Sequence, residues 1–337
     1  MSGPESSVAN SPANSLVTAG RLAVAIAIIA LIAVPFVVSE VYYVNIASQV
    51  LLYAIFALGL NVLVGYAGLV SLGHASLFGV AAYVAAYLLA AGYGHGIAIL
   101  AALAACLVVT AGFAALALRA TGISFIMITL ALGEIIWGLA YRWISLTNGD
   151  NGISVTTRPA PFGFSLASAR GFYGATLVIF LIALLLAAIF VRSPFGAALC
   201  GTRDQPRRMN ALGYHVWMIR FGAFMFSGLL TAVAGILFVY YNEFISPQAL
   251  ALTASAEGLL MVISGGAGTL LGPVVGAALV VIVKNVVSAY ITRWNFMLGA
   301  IFVAIVIFMP EGLVPGAARL TRSAWRSGRR KKPDSQP

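Results

Sequence analysis

Two carboxylic acids, Glu134 and Glu257, lie inside runs of apolar residues that are long enough to cross a membrane. An acid at that depth is costly, so it usually faces a water-filled cavity or a partner group. Either acid could contact a small polar substrate, and Glu134 could also carry a proton. The alternative is an interhelical hydrogen bond, or a protonated acid that donates to a backbone carbonyl. This structural interpretation is favoured for Glu257, because it lies close to the predicted outer interface.

Two further polar residues, Asn61 and His74, have apolar surroundings and are candidates for the same pathway. His74 follows Gly73 in a predicted helix interruption, where a structural hydrogen-bonding role is favoured over a proton relay. The histidines at positions 74, 95 and 215 lie at different predicted depths, and the chain has 2 cysteines. No metal site is therefore predicted.

The internal segment Arg192–Arg220 is basic and broken by turn residues, with membrane-length apolar segments on both sides. Asp204 could cap the first turn of a helix, Pro206 fits that turn, and Gly213 suits the left-handed position after its end. These signals predict about two helical turns over Gln205–Leu212. So short a helix is unstable alone in water, so we expect another protein to bind it. The alternative is a solvated cytoplasmic loop that only fixes topology.

Two stretches, Leu60–Gly73 and Leu260–Gly272, carry glycines and an alanine at matched spacing. Glycines at this density allow close approach of helices or an unwound segment that lines a cavity. Paired interruptions in two parts of a membrane chain point to a transport pathway. The alternative is ordinary packing of small residues. The glycines of the predicted pathway are Gly65, Gly68, Gly265, Gly266 and Gly268.

The composition indicates an integral membrane protein. Of the 337 residues, 61% are hydrophobic and 8% are charged, and the mean hydropathy is +1.01. Soluble domains carry about 25% charged residues. The net charge of +10 does not indicate nucleic-acid binding, because the basic residues lie mostly at segment ends and in the C-terminal tail. The expected surrounding is the lipid bilayer.

The apolar pattern predicts an all-α, polytopic bundle of about ten spans with interrupted helices. The bias of Lys and Arg between alternate connections places both termini in the cytoplasm. Residues 1–20 are predicted to be a disordered tail, residues 21–316 the transmembrane domain, and residues 317–337 a basic cytoplasmic tail. The predicted spans are 22–38, 42–64, 70–91, 97–118, 123–143, 172–191, 215–240, 252–266, 271–291 and 295–310.

The longest predicted outer connection is Ile144–Gly171. Asn148–Gly149 and Asn151–Gly152 are turn signals, and two prolines stop any helix further along. This length is unusual for a simple connector and is compatible with docking or gating. The alternative is a surface loop without a role of its own.

The chain lacks the glycine-rich phosphate-binding motif of ATPases. Its lysines are Lys284, Lys331 and Lys332, and none follows a glycine. The predicted topology also leaves no soluble domain for a nucleophile and its base. We therefore predict a protein that is not an ATPase or another enzyme and that holds no cofactor. Uphill movement of a solute would take its energy from a partner protein or an ion gradient.

Six collinear blocks resemble the LivM-type permease subunits of bacterial branched-chain amino-acid ABC importers, over about residues 45–315. The resemblance implies an inner-membrane protein that pairs with a homologous second permease subunit and two ATP-binding subunits. A periplasmic substrate-binding protein would deliver leucine, isoleucine, valine or a similar small solute. The blocks are ALGLNVLVGYAGLVSLGHASLFGVAAY (57–83), ISFIMITLALGEIIWGL (123–139), SLTNGDNGI (145–153), FGAALCGTRDQPRRMNALG (195–213), EGLLMVISGGAGTLLGPVVGAAL (257–279) and FMPEGL (308–313).

In such permeases a helix in a cytoplasmic loop couples the membrane domain to the ATPases, and Asp204–Gly213 occupies that place. The family usually has an acid shortly before the Ala-x-Gly motif, where this chain has Asn210. Three alternatives remain: a permease of the same family for urea or short amides, a secondary transporter with Glu134 as proton carrier, and a non-transporting scaffold. The implied coupling residues are Arg203, Asp204, Arg207, Arg208, Met209, Asn210, Ala211 and Gly213.

Overall fold

The computed structural model describes residues 40–155 and 168–290, together with residues 296, 299–300, 302–304, 307 and 312–316. Within these ranges the chain is a helical bundle with one short β-ribbon, which confirms the all-α class. Several predicted segments lie outside the described residues. They are the tails 1–20 and 317–337, the span 22–38, most of the span 295–310, and residues 156–167 of the outer connection.

Within each described range the elements follow each other along the chain with short connections. The helix Val41–Asn61 continues into a π-helical turn at Val62–Ala67, and single turns of 3-10 helix occur at Gly149–Asn151 and Pro247–Leu250. The helices are α1 (Val41–Asn61), α2 (His74–Ala90), α3 (His95–Ala117), α4 (Ile123–Arg142), α5 (Ile144–Thr147), α6 (Ala169–Arg192), α7 (Pro194–Asp204), α8 (Pro206–Ala211), α9 (Val216–Asn242), α10 (Leu252–Gly265) and α11 (Gly272–Tyr290), and the strands are β1 (Ile153–Ser154) and β2 (Phe244–Ile245).

Five helices of the described part are long and apolar enough to cross a membrane: α1 with its π-helical turn, α3, α4, α6 and α9. Three shorter apolar helices are α2, α10 and the stretch Gly272–Asn285 of α11. Each overlaps one of the predicted spans. The third predicted span starts too early at residue 70, because the chain from Gly68 to Gly73 is not helical and α2 begins only at His74.

Helices α1 and α9 form the centre of the bundle. Helix α9 packs against α1, α2 and α3, whereas α6, α10 and α11 pack against α1. Because α1 and α9 are covered on most sides, large side chains such as Leu51, Leu58 and Phe224 are fully buried. Helices α3, α4 and α6 instead expose apolar residues such as Val108 and Leu185 on their outer faces. Such continuous apolar surface is typical of contact with lipid or another subunit.

The connections gather at two ends of the bundle, joined by the 27 residues of α9. At the ribbon end (residues 143–155 and 243–251), β1 pairs antiparallel with β2, with Ile153 opposite Ile245. Asn148 is left-handed at φ 60° and its side-chain amide donates to the Gly152 carbonyl, so the predicted turn is confirmed. Residues 144–155 of the predicted outer connection therefore form ordered structure against the α9–α10 connection. The other end is the elbow (residues 193–215).

Candidate functional site

The elbow consists of two helices, α7 and α8, where the sequence analysis predicted a loop with one short helix. Ser193 begins α7, because its hydroxyl accepts a hydrogen bond from the Gly196 amide at 3.2 Å and Pro194 occupies the first turn. The dipeptide Ser193–Pro194 was therefore a helix-start signal that the sequence analysis missed. Arg220 of α9 ties the elbow to the bundle by donating to the Thr202 carbonyl at 2.7 Å.

The predicted cap at Asp204 is wrong. Asp204 is the last residue of α7, and its carboxylate accepts a hydrogen bond from Arg203 Nε at 2.9 Å. The cap position of α8 is Gln205, without a side-chain cap. The other two signals are confirmed: Pro206 lies in the first turn, and Gly213 has a left-handed φ of 86°.

Helix α8 is attached to the rest of the protein by few side chains. Met209 packs against Gly201 of α7, where a Cβ atom would lie 2.8 Å from the Met209 sulfur. None of the residues of α8 is buried, so Arg207 and Arg208 are exposed. Apolar residues are exposed close by in the sequence, namely Leu212, Tyr214, Trp217 and Met218. The elbow thus presents cationic and apolar groups together, as protein-binding surfaces do.

The two glycine-rich stretches contact each other directly. A Cβ atom on Gly65 would lie 2.7 Å from Gly268 Cα, so the approach is possible only without a side chain. Asn61 joins the same two stretches: its amide nitrogen donates to the Thr269 carbonyl and its oxygen accepts from the Gly268 amide, both at 2.9 Å. We call this the glycine junction (Asn61, Gly65, Gly68 and residues 265–269).

The glycines of the junction hold backbone shapes that other residues rarely adopt. Gly68 ends the π-helical turn at φ 68°, and Gly266 and Gly268 follow α10 at φ 117° and 78°. Gly265 faces the next helix, since a Cβ atom there would lie 3.0 Å from the Gly276 amide. The predicted interruptions therefore occur in both stretches.

Arg203 connects the elbow to the glycine junction. Its Nη1 donates to the Gly65 carbonyl at 2.7 Å, and its stem lies against Gly68, where a Cβ atom would be 2.6 Å from Arg203 Cγ. The π-helical turn leaves carbonyl groups without their usual intrahelical partners, and a guanidinium is a strong donor to such a group. The sequence analysis named Arg203 and Gly65 separately, and only the tertiary structure brings them together.

His74 is fully buried at the start of α2. Its Nδ1 lies 2.9 Å from the Ser71 hydroxyl, and its Nε2 lies 2.9 Å from the Ser227 hydroxyl. Ser227 donates its own hydrogen to the Gly59 carbonyl at 2.6 Å, so Nε2 must donate to Ser227 and Nδ1 must accept from Ser71. His74 thus links α1, α2 and α9 through a chain of hydrogen bonds.

The two acids of the sequence analysis lie in different places. Glu257 of α10 forms an ion pair with Lys284 of α11, whose Nζ is 3.2 and 3.1 Å from the two carboxylate oxygens. The pair lines a cavity of about 410 Å³ at the ribbon end. Glu134 is half-buried on α4, away from that cavity, and makes no hydrogen bond or ion pair within the described ranges.

Lys284 is the charged residue of this cavity that the sequence analysis missed, because it was considered only as a lysine that does not follow a glycine. Its position inside the apolar run VVIVKNVV was a signal for a buried partner. The described part of the chain holds no group of three His, Cys, Asp or Glu residues placed to bind a metal ion.

Comparison with known proteins gives matches over most of the chain. The family model described as "Branched-chain amino acid transport system / permease component" matches residues 42–306. The high-affinity branched-chain amino acid transport system permease proteins LivM of Salmonella typhimurium and Escherichia coli are each 32% identical over 309 residues, which cover 84% of this chain and 72% of the relative.

More distant similarity reaches two further permeases. LivH of Salmonella typhimurium, another permease protein of the same high-affinity system, is 23% identical over 297 residues, covering 78% of this chain and 91% of the relative. The autoinducer 2 import system permease protein LsrC of Salmonella typhi is 31% identical over 159 residues, 44% of this chain and 46% of the relative. No solved structure matches the chain.

Proposed function

The chain belongs to the family of branched-chain amino acid transport system permease components, and from this premise we propose that it is the inner-membrane permease subunit of an ABC importer. Its cargo would be branched-chain or related small amino acids. Separate ATP-binding subunits would drive it through the elbow segment Asp204–Gly213. The apolar helices of the described part and the similarity to the LivM proteins support this proposal.

One observation carries the coupling part of the proposal: Arg203 joins the exposed elbow to the glycine junction by its hydrogen bond to Gly65. Helix α8 is short and has no buried residue, so it can serve as the surface that an ATP-binding subunit contacts. Closure of the ATP-binding subunits would shift α8 and α7 together. Arg203 would carry that shift to the π-helical turn, and Asn61 would carry it on to the Gly268–Thr269 segment.

The proposed complex contains a second permease subunit, two ATP-binding subunits and a periplasmic substrate-binding protein. The similarity of this chain to both LivM and LivH, two permease proteins of one transport system, supports pairing with a homologous subunit. The exposed apolar faces of α3, α4 and α6 provide surface for lipid and for that subunit. ATP would bind the partner subunits only, so this chain itself needs no cofactor.

The test is a charge reversal on α8 in the complex reconstituted in lipid vesicles. The double variant Arg207→Glu with Arg208→Glu should reduce ATP-dependent leucine uptake at least about tenfold. It replaces two positive charges of the proposed docking surface with negative ones, so the surface no longer complements its partner. The matched control is Arg119→Glu, which changes an exposed arginine in the α3–α4 connection. It should leave uptake within about twofold of the unchanged complex.

Three outcomes would each contradict one part of the proposal. Uptake by the α8 double variant equal to that of the control would remove the elbow as the coupling surface. Uptake by this chain alone in vesicles with a pH gradient and no ATP would favour a proton-driven carrier with Glu134. Uptake of urea or short amides in place of amino acids by the complete complex would keep the permease role and change its cargo.

A further inference from the structure

The cavity that contains Glu257 and Lys284 has the size and composition of a small-molecule site. It occupies about 410 Å³ between α1, α2, α9, α10 and α11, with the segment after β2 at its rim. Ligand sites in proteins have volumes of about 300–1,000 Å³ and combine apolar walls with a few polar groups. Here the polar groups of the described wall include two full and opposite charges.

The opposite charges lie side by side on neighbouring helices. The Lys284 ammonium group is nearly equidistant from both oxygens of Glu257, at 3.2 and 3.1 Å. The side chain of Glu257 is 19% exposed and that of Lys284 is 35% exposed. The Glu257 carboxylate is mostly withdrawn from water, so its charge needs a compensating partner. The pair therefore offers an acceptor on Glu257 and a donor on Lys284. A ligand that separates them must supply a positive group for Glu257 and a negative group for Lys284.

Three aromatic side chains that contact one another also line the cavity. Phe78 contacts Phe56 edge to face with the ring centres 5.4 Å apart, and it contacts Phe238 with the centres 5.2 Å apart. Met261 adds a flexible apolar side chain to the same cavity. Because the three rings hold each other in place, this wall forms a preformed surface for a hydrocarbon group.

We propose that this cavity binds an α-amino acid with an aliphatic side chain while the amino acid crosses the permease. The ammonium group of the ligand would lie on Glu257, its carboxylate on Lys284, and its side chain against Phe56, Phe78 and Phe238. The exchange of one ion pair for two keeps the cavity electrically neutral and gives each charge of the zwitterion an opposite partner, which offsets part of its desolvation cost. This inference rests on the proposed importer function and names the place where its cargo would stop.

The test is the binding of radiolabelled leucine to the purified complex in lipid nanodiscs without the periplasmic binding protein. The double variant Glu257→Gln with Lys284→Gln removes both charges together, so it leaves neither charge unpaired. We expect its leucine affinity to fall at least about tenfold. The control Thr176→Val lies in a second, apolar cavity and should bind leucine as the unchanged complex does.

Competition adds a chemical test of the same site. 4-Methylpentanoate, which lacks the ammonium group, and 3-methylbutylamine, which lacks the carboxylate, should each compete with leucine at least about tenfold more weakly than leucine itself. If the charge pair has only a structural role, the double variant should change the melting temperature of the complex. It should then bind all three compounds as the unchanged complex does.

The outcomes separate the site from the general function. If the unchanged complex takes up leucine but the double-neutral variant binds it equally well, or no binding is seen without the periplasmic protein, the site is overturned and the importer stands. If the complete complex takes up no amino acid when supplied with ATP and the loaded periplasmic protein, the proposed function falls first.

Discussion

The glycine junction and the charged cavity solve opposite structural problems in one bundle. At the junction, two backbone segments approach so closely that Gly65 has no room for even one carbon atom beside Gly268. In the cavity, about 410 Å³ of space is kept open, and its walls carry large aromatic rings and two charges. The close approach at the junction therefore depends on the absence of side chains at Gly65 and Gly268, whereas the cavity depends on the presence of particular side chains.

The difference indicates where mechanical and chemical roles would lie. Contacts between backbone segments tolerate little change, so a shift on one side must be followed on the other. Asn61 reinforces this coupling, because it makes hydrogen bonds to two consecutive residues of the opposite segment. Under the proposed binding mode, the cavity would accept ligands of different size, but only ligands that pair with both Glu257 and Lys284. Movement would thus be set at the junction and selection at the cavity.

The largest effect is expected from Gly65→Ala. The added methyl group would overlap the Gly268 backbone, which cannot move aside as a side chain can, so we expect destabilisation of about 1–3 kcal/mol and loss of ATP-dependent uptake. The control is Gly112→Ala in α3, where a Cβ atom meets nothing within 4 Å. That change should be neutral or stabilising by up to about 1 kcal/mol, because alanine favours the helix.

Thermal unfolding of the two variants in detergent, followed by uptake in vesicles, compares them directly. Equal melting temperatures and equal uptake for Gly65→Ala and Gly112→Ala would show that the junction opens easily. The contrast between a rigid junction and an adaptable cavity would then be lost.

A smaller and more specific effect is expected from Arg203→Met, which keeps the long stem beside Gly68 and removes the hydrogen bond to the Gly65 carbonyl, together with the exposed ion pair to Asp204. A hydrogen bond from a charged donor contributes about 1.5–3 kcal/mol. We expect roughly tenfold less leucine transported per ATP hydrolysed, with ATP-binding subunits still attached. Arg203→Lys, which retains a donor, should recover part of the lost coupling.

The measurement is the ratio of uptake to ATP hydrolysis in the same vesicles. A structural role of Arg203 would lower both rates together and leave the ratio constant. A lowered ratio for the methionine variant and an intermediate ratio for the lysine variant would show that Arg203 carries the movement of the elbow to the glycine junction.

The sequence predicted local features better than contacts between distant segments. Pro206 and Gly213 were placed correctly, because a first-turn proline and a left-handed glycine depend on the neighbouring backbone alone. Asp204 was assigned as a cap because it precedes Pro206, but α7 continues to that residue. A polar residue between two helices can cap the second helix or end the first. To decide between these for Asp204, the first helix, α7, has to be recognised, and its start signal is Ser193–Pro194.

The same limit applies to the two candidate sites. The glycine pattern predicted two interruptions, yet nothing in their spacing shows that Gly65 would contact Gly268, 203 positions further along the chain. Glu257 was recognised as a membrane acid, but its pairing with Lys284 arises only when α10 folds back on α11. Periodicity gives the elements, whereas long-range pairing comes from how the helices pack.

The smallest effect is expected in the second cavity at the ribbon end, which occupies about 380 Å³ between α3, α6 and α9 and is lined mainly by apolar residues. The Thr176 hydroxyl in its wall is buried and has no hydrogen-bond partner in the described part of the chain. Thr176→Val keeps the shape and removes that polar group, so stability should stay equal or rise by about 1 kcal/mol, with uptake unchanged. Thermal unfolding and uptake assays check both expectations. A loss of uptake would mean that this apolar cavity also lies on the transport route. The presence of charged residues would then no longer distinguish a cavity that binds cargo from a packing void without a function.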